Sequence, residues 1–280
     1  MLTTFRTRVL PFVLVLFAVV VTSAASGFCF VGGFDGASSP SILVAQMLIL
    51  AVMALVSWAV LARMRKLAPE VLGFEATSRA AKELPIGFVV GMVCPALVAL
   101  VLTMTQVAPF RLSATPPSAL LIVLAIVGFA VNGALQQVQL QSLAVVGSRD
   151  GKASIGAIAG AQFIFVGMHA AQHAEPIYVL NVALFGVLTS LLFFWGGRAS
   201  YALPMGLHAG WNFAEVCLLG MQMEGVPAHH LGIAEWPVVG QFYSGGAMGL
   251  EGGIAVTPMY IVLLAVGWRL SSRAPSHRAG

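Results

Sequence analysis

Charge is scarce in this sequence. Asp, Glu, Lys and Arg together make up 9% of its 280 residues, where a soluble domain carries about 25%. That shortage excludes an ordinary water-soluble domain, and it excludes the broad basic face that a nucleic-acid partner requires. Cysteine is scarce as well. There are three, Cys29, Cys94 and Cys217, and an odd number with two in apolar runs is not a disulfide framework. A lipoprotein signal at Cys29 is excluded by Phe28, which stands where a small residue is needed. No linker, internal repeat or low-complexity stretch divides the chain, so residues 1–280 read as one membrane domain. What is abundant is apolar surface: 59% of the residues are hydrophobic and the mean hydropathy is +0.94. The composition predicts an all-α integral membrane protein, because a helix satisfies every backbone polar group within its own segment.

A spanning helix needs about 20 apolar residues. Eight segments qualify: 9–28, 41–62, 84–106, 118–146, 154–173, 176–196, 200–222 and 253–270. Arg6, Arg8 and the Ser23-Ala24-Ala25 run also fit a cleaved signal peptide, which would leave the remaining topology unchanged. The basic residues alternate with the segments. All but Arg111 fall on one side, with Arg63, Arg65, Lys66, Arg79 and Lys82 in the second loop, Arg149 and Lys152 in the fourth, and Arg198 in the sixth. The positive-inside rule then puts both termini in the cytoplasm, in a bacterial-type inner membrane. The charged loop 63–83 reads as an interfacial helix near anionic headgroups. The Gly-rich connection 223–252, with Glu224, Glu235 and Glu251, is expected to face outward.

Polar side chains are unequally spread. The first three segments hold only Gln46 and Gln106 as long amides and read as lipid-facing scaffold. The fourth carries Asn132, Gln136, Gln137, Gln139 and Gln141, the fifth Gln162, His169, Gln172 and His173, the sixth Asn181, and the seventh His208, Asn212 and Glu215. Polar groups at membrane depth are expensive and lean functional. A polar cavity among helices four to seven is therefore expected. His208, Asn212 and Glu215, at i, i+4 and i+7, read as one helix face. Gln139 and Asn132 read as packing amides, Gln162, Gln172 and His173 as the cavity mouth, and Trp211, Phe213, Met205, Met221 and Met223 as packing or anchoring groups. Counted from the cytoplasmic ends, His208, Gln137 and His169 lie ~12, ~15 and ~22 Å deep. A shared cavity thus asks the fifth helix to start late or tilt, and Gly156-x-x-x-Gly160 would permit a tight crossing there.

Two motifs stand out: F-x-x-x-H from Phe165 to His169, and H-x-x-x-N from His208 to Asn212. In this order and on these helices they resemble the second and third motifs of the CPBP family, the CAAX-protease and bacteriocin-processing group of intramembrane proteases (also called Abi or Rce1-like). The run NVALFGVLTSLLFFWGGRASYALPMGLHAGWNFAE and the later YSGGAMGLEGG strengthen the likeness, which covers about 70–270 and is strongest from 160 to 255. The resemblance implies an endopeptidase whose histidines orient water and, with the asparagine, stabilise the oxyanion. One departure is chemical. The family's first motif, E-E-x-x-x-R, is replaced by QQVQLQ: Gln136 and Gln137 occupy the glutamate positions and Gln141 the arginine position. An amide cannot serve as a base, so the general-base contribution of about 10²–10⁴-fold is missing from that motif.

Three functions follow. The first is a CPBP-type endopeptidase acting on a peptide or membrane protein, with Glu215 as a possible accessory carboxylate. The second is a non-catalytic relative that binds such partners, as an immunity factor, scaffold or chaperone-like receptor. The third is a transporter, against which stands the lack of an inverted repeat and of paired broken helices. Membrane lipids are partners in every case. No cofactor is required. A divalent metal such as zinc would have His169 and His208 as ligands but lacks the usual third.

Overall fold

The computed structural model describes residues 51–52, 55–56, 78–147, 155–171, 173–194, 200–222, 232–236 and 241–272. The expected spans 9–28 and, apart from its short helical stretches, 41–62 lie outside these residues, as do Cys29, Gln46, Gln172, Arg198, Met223, Glu224 and the basic cluster at Arg63, Arg65 and Lys66. The described chain is mostly helical. In order it forms α1 (Ser78–Met104), β1 (Arg111–Leu112), α2 (Ala119–Gly147), α3 (Ile155–Ala170), α4 (Pro176–Phe193), α5 (Ala202–Phe213), β2 (Ala234–Glu235), α6 (Gln241–Ser244) and α7 (Thr257–Ser272). Three helices are long and apolar enough to cross a membrane: Ser78–Met104, Ala119–Gln141 and Pro176–Phe193. The apolar helices in the fifth and eighth expected segments, Ile155–Ala170 and Ile254–Arg269, are shorter.

Several expectations are corrected. The loop 63–83 does not close before the third segment, because α1 begins at Ser78, inside it. The Arg79 guanidinium pairs with Glu83 one turn on, and Glu83 accepts a hydrogen bond from Ser200 Oγ at 2.8 Å. Partnered in this way, these charges sit at the start of the helix. The fold is not purely α. Arg111 and Leu112 pair antiparallel with Glu235 and Ala234, a ribbon too short to leave an alternating pattern in the sequence. The seventh segment is not one regular helix: after Phe213 it widens into a π-helical turn, Ala214–Leu218.

The core is organised around α5, almost all of whose residues are buried. α1 packs most closely against it. A methyl group at Gly87 would overlap the carbonyl oxygen of Leu203, at Gly91 that of Leu207, at Gly206 that of Leu84 and at Gly210 that of Phe88. Two G-x-x-x-G faces thus meet backbone to backbone. On another side of α5, a Cβ at Gly133 of α2 would stand 3.0 Å from Ala209 N. Among the described residues nothing lies within 4 Å of a Cβ at Gly156 or Gly160, so the expected crossing is made with none of them. The opposite face of α1, including Ile86, Val89, Val93, Leu97 and Val101, is exposed, as a lipid-facing stripe would be. Trp211 of α5 stacks on Tyr260 of α7 with ring centroids 5.0 Å apart, and Phe213 lies against Phe88 at 5.8 Å.

Candidate functional site

Gln136 of α2, Phe165 and His169 of α3, Phe185 of α4, and His208 and Asn212 of α5 line one small cavity of about 40 Å³, together with Val182 and Glu251. That is room for a water molecule or a single carbonyl group. His169 stands in the last turn of α3, and Phe165 packs on its ring at 4.4 Å. Phe185 meets the His208 ring edge-on at 5.0 Å. α3 starts at Ile155, so His169 reaches the cavity without the late helix start that depth counting asked for.

Gln137 and Gln141 stand behind the cavity in a buried relay. Gln162 Nε2 donates to Gly186 O at 2.9 Å and to Ser190 Oγ at 2.8 Å. Ser190 Oγ donates to Gln141 Oε1 at 3.1 Å. Gln141 Nε2 donates to Gln137 Oε1 at 3.1 Å, and Gln137 Nε2 stands 3.0 Å from His208 Nδ1. Two groups set the direction of the row. A carbonyl can only accept, so Gly186 O fixes the Gln162 nitrogen, and with the Ser190 hydroxyl donating to Gln141 Oε1 each amide beyond it turns to suit. With that direction His208 Nδ1 is an acceptor, and the neutral ring carries its proton on Nε2.

His169 has the opposite tautomer. Its Nδ1 lies 2.9 Å from Phe165 O, one turn back, and must be the donor. In the neutral ring Nε2 then presents a lone pair. The cavity wall therefore combines a donor imidazole, an acceptor imidazole, the amides of Asn212 and Gln136, and the carboxylate-bearing Glu251.

Glu215 is not among the cavity-lining residues. It lies about two turns beyond His208, and accepts the backbone N–H of Leu250. Gln162 belongs to the relay rather than the mouth. His173 faces the Tyr178 ring edge-on at 5.8 Å. Asn132 Oδ1 accepts from Gln136 Nε2 at 3.4 Å, which orients a cavity residue from below, and Gln139 is buried. Glu175 is the exposed residue preceding α4.

Sequence reading missed Glu251, Ser190 and the role of Asn181. The connection 223–252, expected simply to face outward, folds back at Gly245–Gly253 and brings Glu251 to the cavity. Its signal was a carboxylate set among glycines in YSGGAMGLEGG; that of Ser190 was the Thr189-Ser190 pair in an otherwise apolar helix. Among the described residues no group of three or more His, Cys, Asp or Glu side chains is gathered so as to hold a metal ion. No protein-family model matches the chain, and neither a curated protein nor a solved structure matches it.

Proposed function

We propose that this chain is an intramembrane peptide-bond hydrolase of the CPBP type. The observation that carries the reading is the meeting of His169 and His208 in one cavity sized for a water or a carbonyl. In the reaction, His208 Nε2–H and the Asn212 amide donate to the oxygen of the scissile carbonyl. His169 Nε2 accepts a hydrogen bond from the attacking water. Fixed donors at a developing oxyanion are worth far more in a dry site than in water, and losing one costs about 10²–10³ in kcat. The family resemblance of Phe165–His169 and His208–Asn212 agrees with this assignment.

The reading is tested in proteoliposomes with a library of apolar peptides, including a prenylated C-terminal peptide, scored by mass spectrometry for new termini. Cleavage by the wild type that falls about 10²–10³-fold in His208→Ala is the expected result. No new termini, or equal cleavage by the variant, would overturn it. A second reading, a peptide-binding relative without turnover, is favoured by Gln136, Gln137 and Gln141, which keep hydrogen bonds without charge. Saturable peptide binding with no cleavage would select it. Within the same proposal belong eight spans and cytoplasmic termini in a bacterial-type inner membrane, with membrane lipids and an apolar peptide as partners. Single cysteines introduced at Arg149 and Arg273 are expected to label from the cytoplasmic face alone.

A further inference from the structure

We propose that Glu251 is the carboxylate that accepts the proton of the attacking water, replacing in space the acids missing at Gln136 and Gln137. This rests on the hydrolase reading. Glu251 lines the same cavity as Gln136, His169, His208 and Asn212, although it comes from a different part of the chain. Its place is fixed from both sides. Asn181, fully buried in α4, donates from Nδ2 to Glu251 O at 2.7 Å and to Gly253 O at 2.9 Å. Asn181 Oδ1 accepts from Thr257 Oγ1 at 2.7 Å. One residue before Glu251, the Leu250 N–H is held by the buried Glu215.

The turn itself demands glycine. Gly245 and Gly249 have φ of 82° and 78°, where a side chain is strained. A Cβ at Gly249 would also run into the Glu215 carboxylate, and one at Gly253 into Tyr243 O. These ties to Asn181 and Glu215 run through the loop backbone. They set the position of residue 251 whatever side chain it carries, and the sequence puts there a group able to take a proton.

In the step, the water oxygen bonds to the carbonyl carbon while one O–H bond breaks and its proton passes to the Glu251 carboxylate. The C=O electron pair moves onto oxygen, against His208 Nε2–H and Asn212. As the carbonyl re-forms, the C–N bond breaks and the proton on Glu251 goes to the leaving nitrogen. The products are a carboxylic acid and an amine, and Glu251 is again ionised.

The test uses full-length wild type, Glu251→Gln, Glu251→Asp, His208→Ala and the double variant Gln136→Glu/Glu251→Gln in proteoliposomes. Each is assayed on the peptide that the wild type cleaves best in the library above. Glu251→Gln is expected to lower kcat about 10²–10⁴-fold at similar KM and to abolish the acid limb of the pH profile of kcat/KM. The double variant should regain at least about tenfold, since position 136 faces the same cavity. Should Glu251→Gln fail to fold, Glu251→Asp must still show the acid limb at reduced kcat. If Glu251→Gln stays within about threefold of wild type while His208→Ala is dead, Glu251 is not the base and the hydrolase reading stands. If the wild type yields no new termini, both fall.

Discussion

Gln137 and Gln141 occupy positions where the family resemblance expects ionised groups, and they are fully buried. Their hydrogen bonds show what an amide can do there that a carboxylate cannot: Gln137 accepts on one side and donates on the other, so it passes the direction fixed at Gly186 and Ser190 through to His208. A carboxylate at 137 could only accept, and would call the proton onto His208 Nδ1. Nitrogen-15 NMR of histidine-labelled protein is therefore expected to find His208 protonated at Nε2 and His169 at Nδ1, with the two signals assigned by single His substitutions. Gln141→Leu would strand the hydroxyl of Ser190 and the carbonyl of Gln137 in the interior. Thermal unfolding in detergent should register a loss of about 1–3 kcal/mol for each stranded group. At this scale the sequence singled out Phe165, His169, His208, Asn212 and Gln136, and all five line one cavity. Glu215 does not, because sharing a helix face does not bring a side chain two turns away to the same cavity. Glu251 was hidden because periodicity says nothing about where an irregular loop returns.

The helix crossing between α1 and α5 is set by Gly87, Gly91, Gly206 and Gly210, whose missing side chains let carbonyl oxygens fill their place. Without water to squeeze apolar faces together, such close approach is a principal source of helix affinity in lipid. Gly210→Ala is expected to destabilise the protein by about 1–3 kcal/mol, read as a lower melting temperature in detergent. Gly156→Ala and Gly160→Ala should leave it unchanged, since no described residue lies within 4 Å of the added Cβ at either. Hydropathy located α2 and α4 closely because a bilayer imposes length and apolarity together. It could not rank one G-x-x-x-G against another. The spacing is the same in all of them, and only the partner's backbone decides which one is used.

In the molecule as a whole, chemistry sits where elements distant in sequence converge. Asn181 in α4 and Glu215 after α5 hold a loop that lies 30 or more residues from either of them. Asn181→Leu removes the donors to Glu251 O and Gly253 O, and hydrogen exchange over 245–253 is expected to accelerate by about tenfold or more. Such long-range ties are invisible to local sequence patterns, whereas length and apolarity, which mark out the three long helices, are written locally. The π-helical turn gives the junction an odd count. Leu219 N reaches back five residues, to Ala214 O, so the turn takes up one residue more than a regular coil would. A chain shortened by one residue within 214–218 would close the wide turn into a regular one, since four residues at about 100° each sweep nearly what five sweep in the wider coil. The helix on either side would keep its heading, so the surplus residue is absorbed within the turn itself.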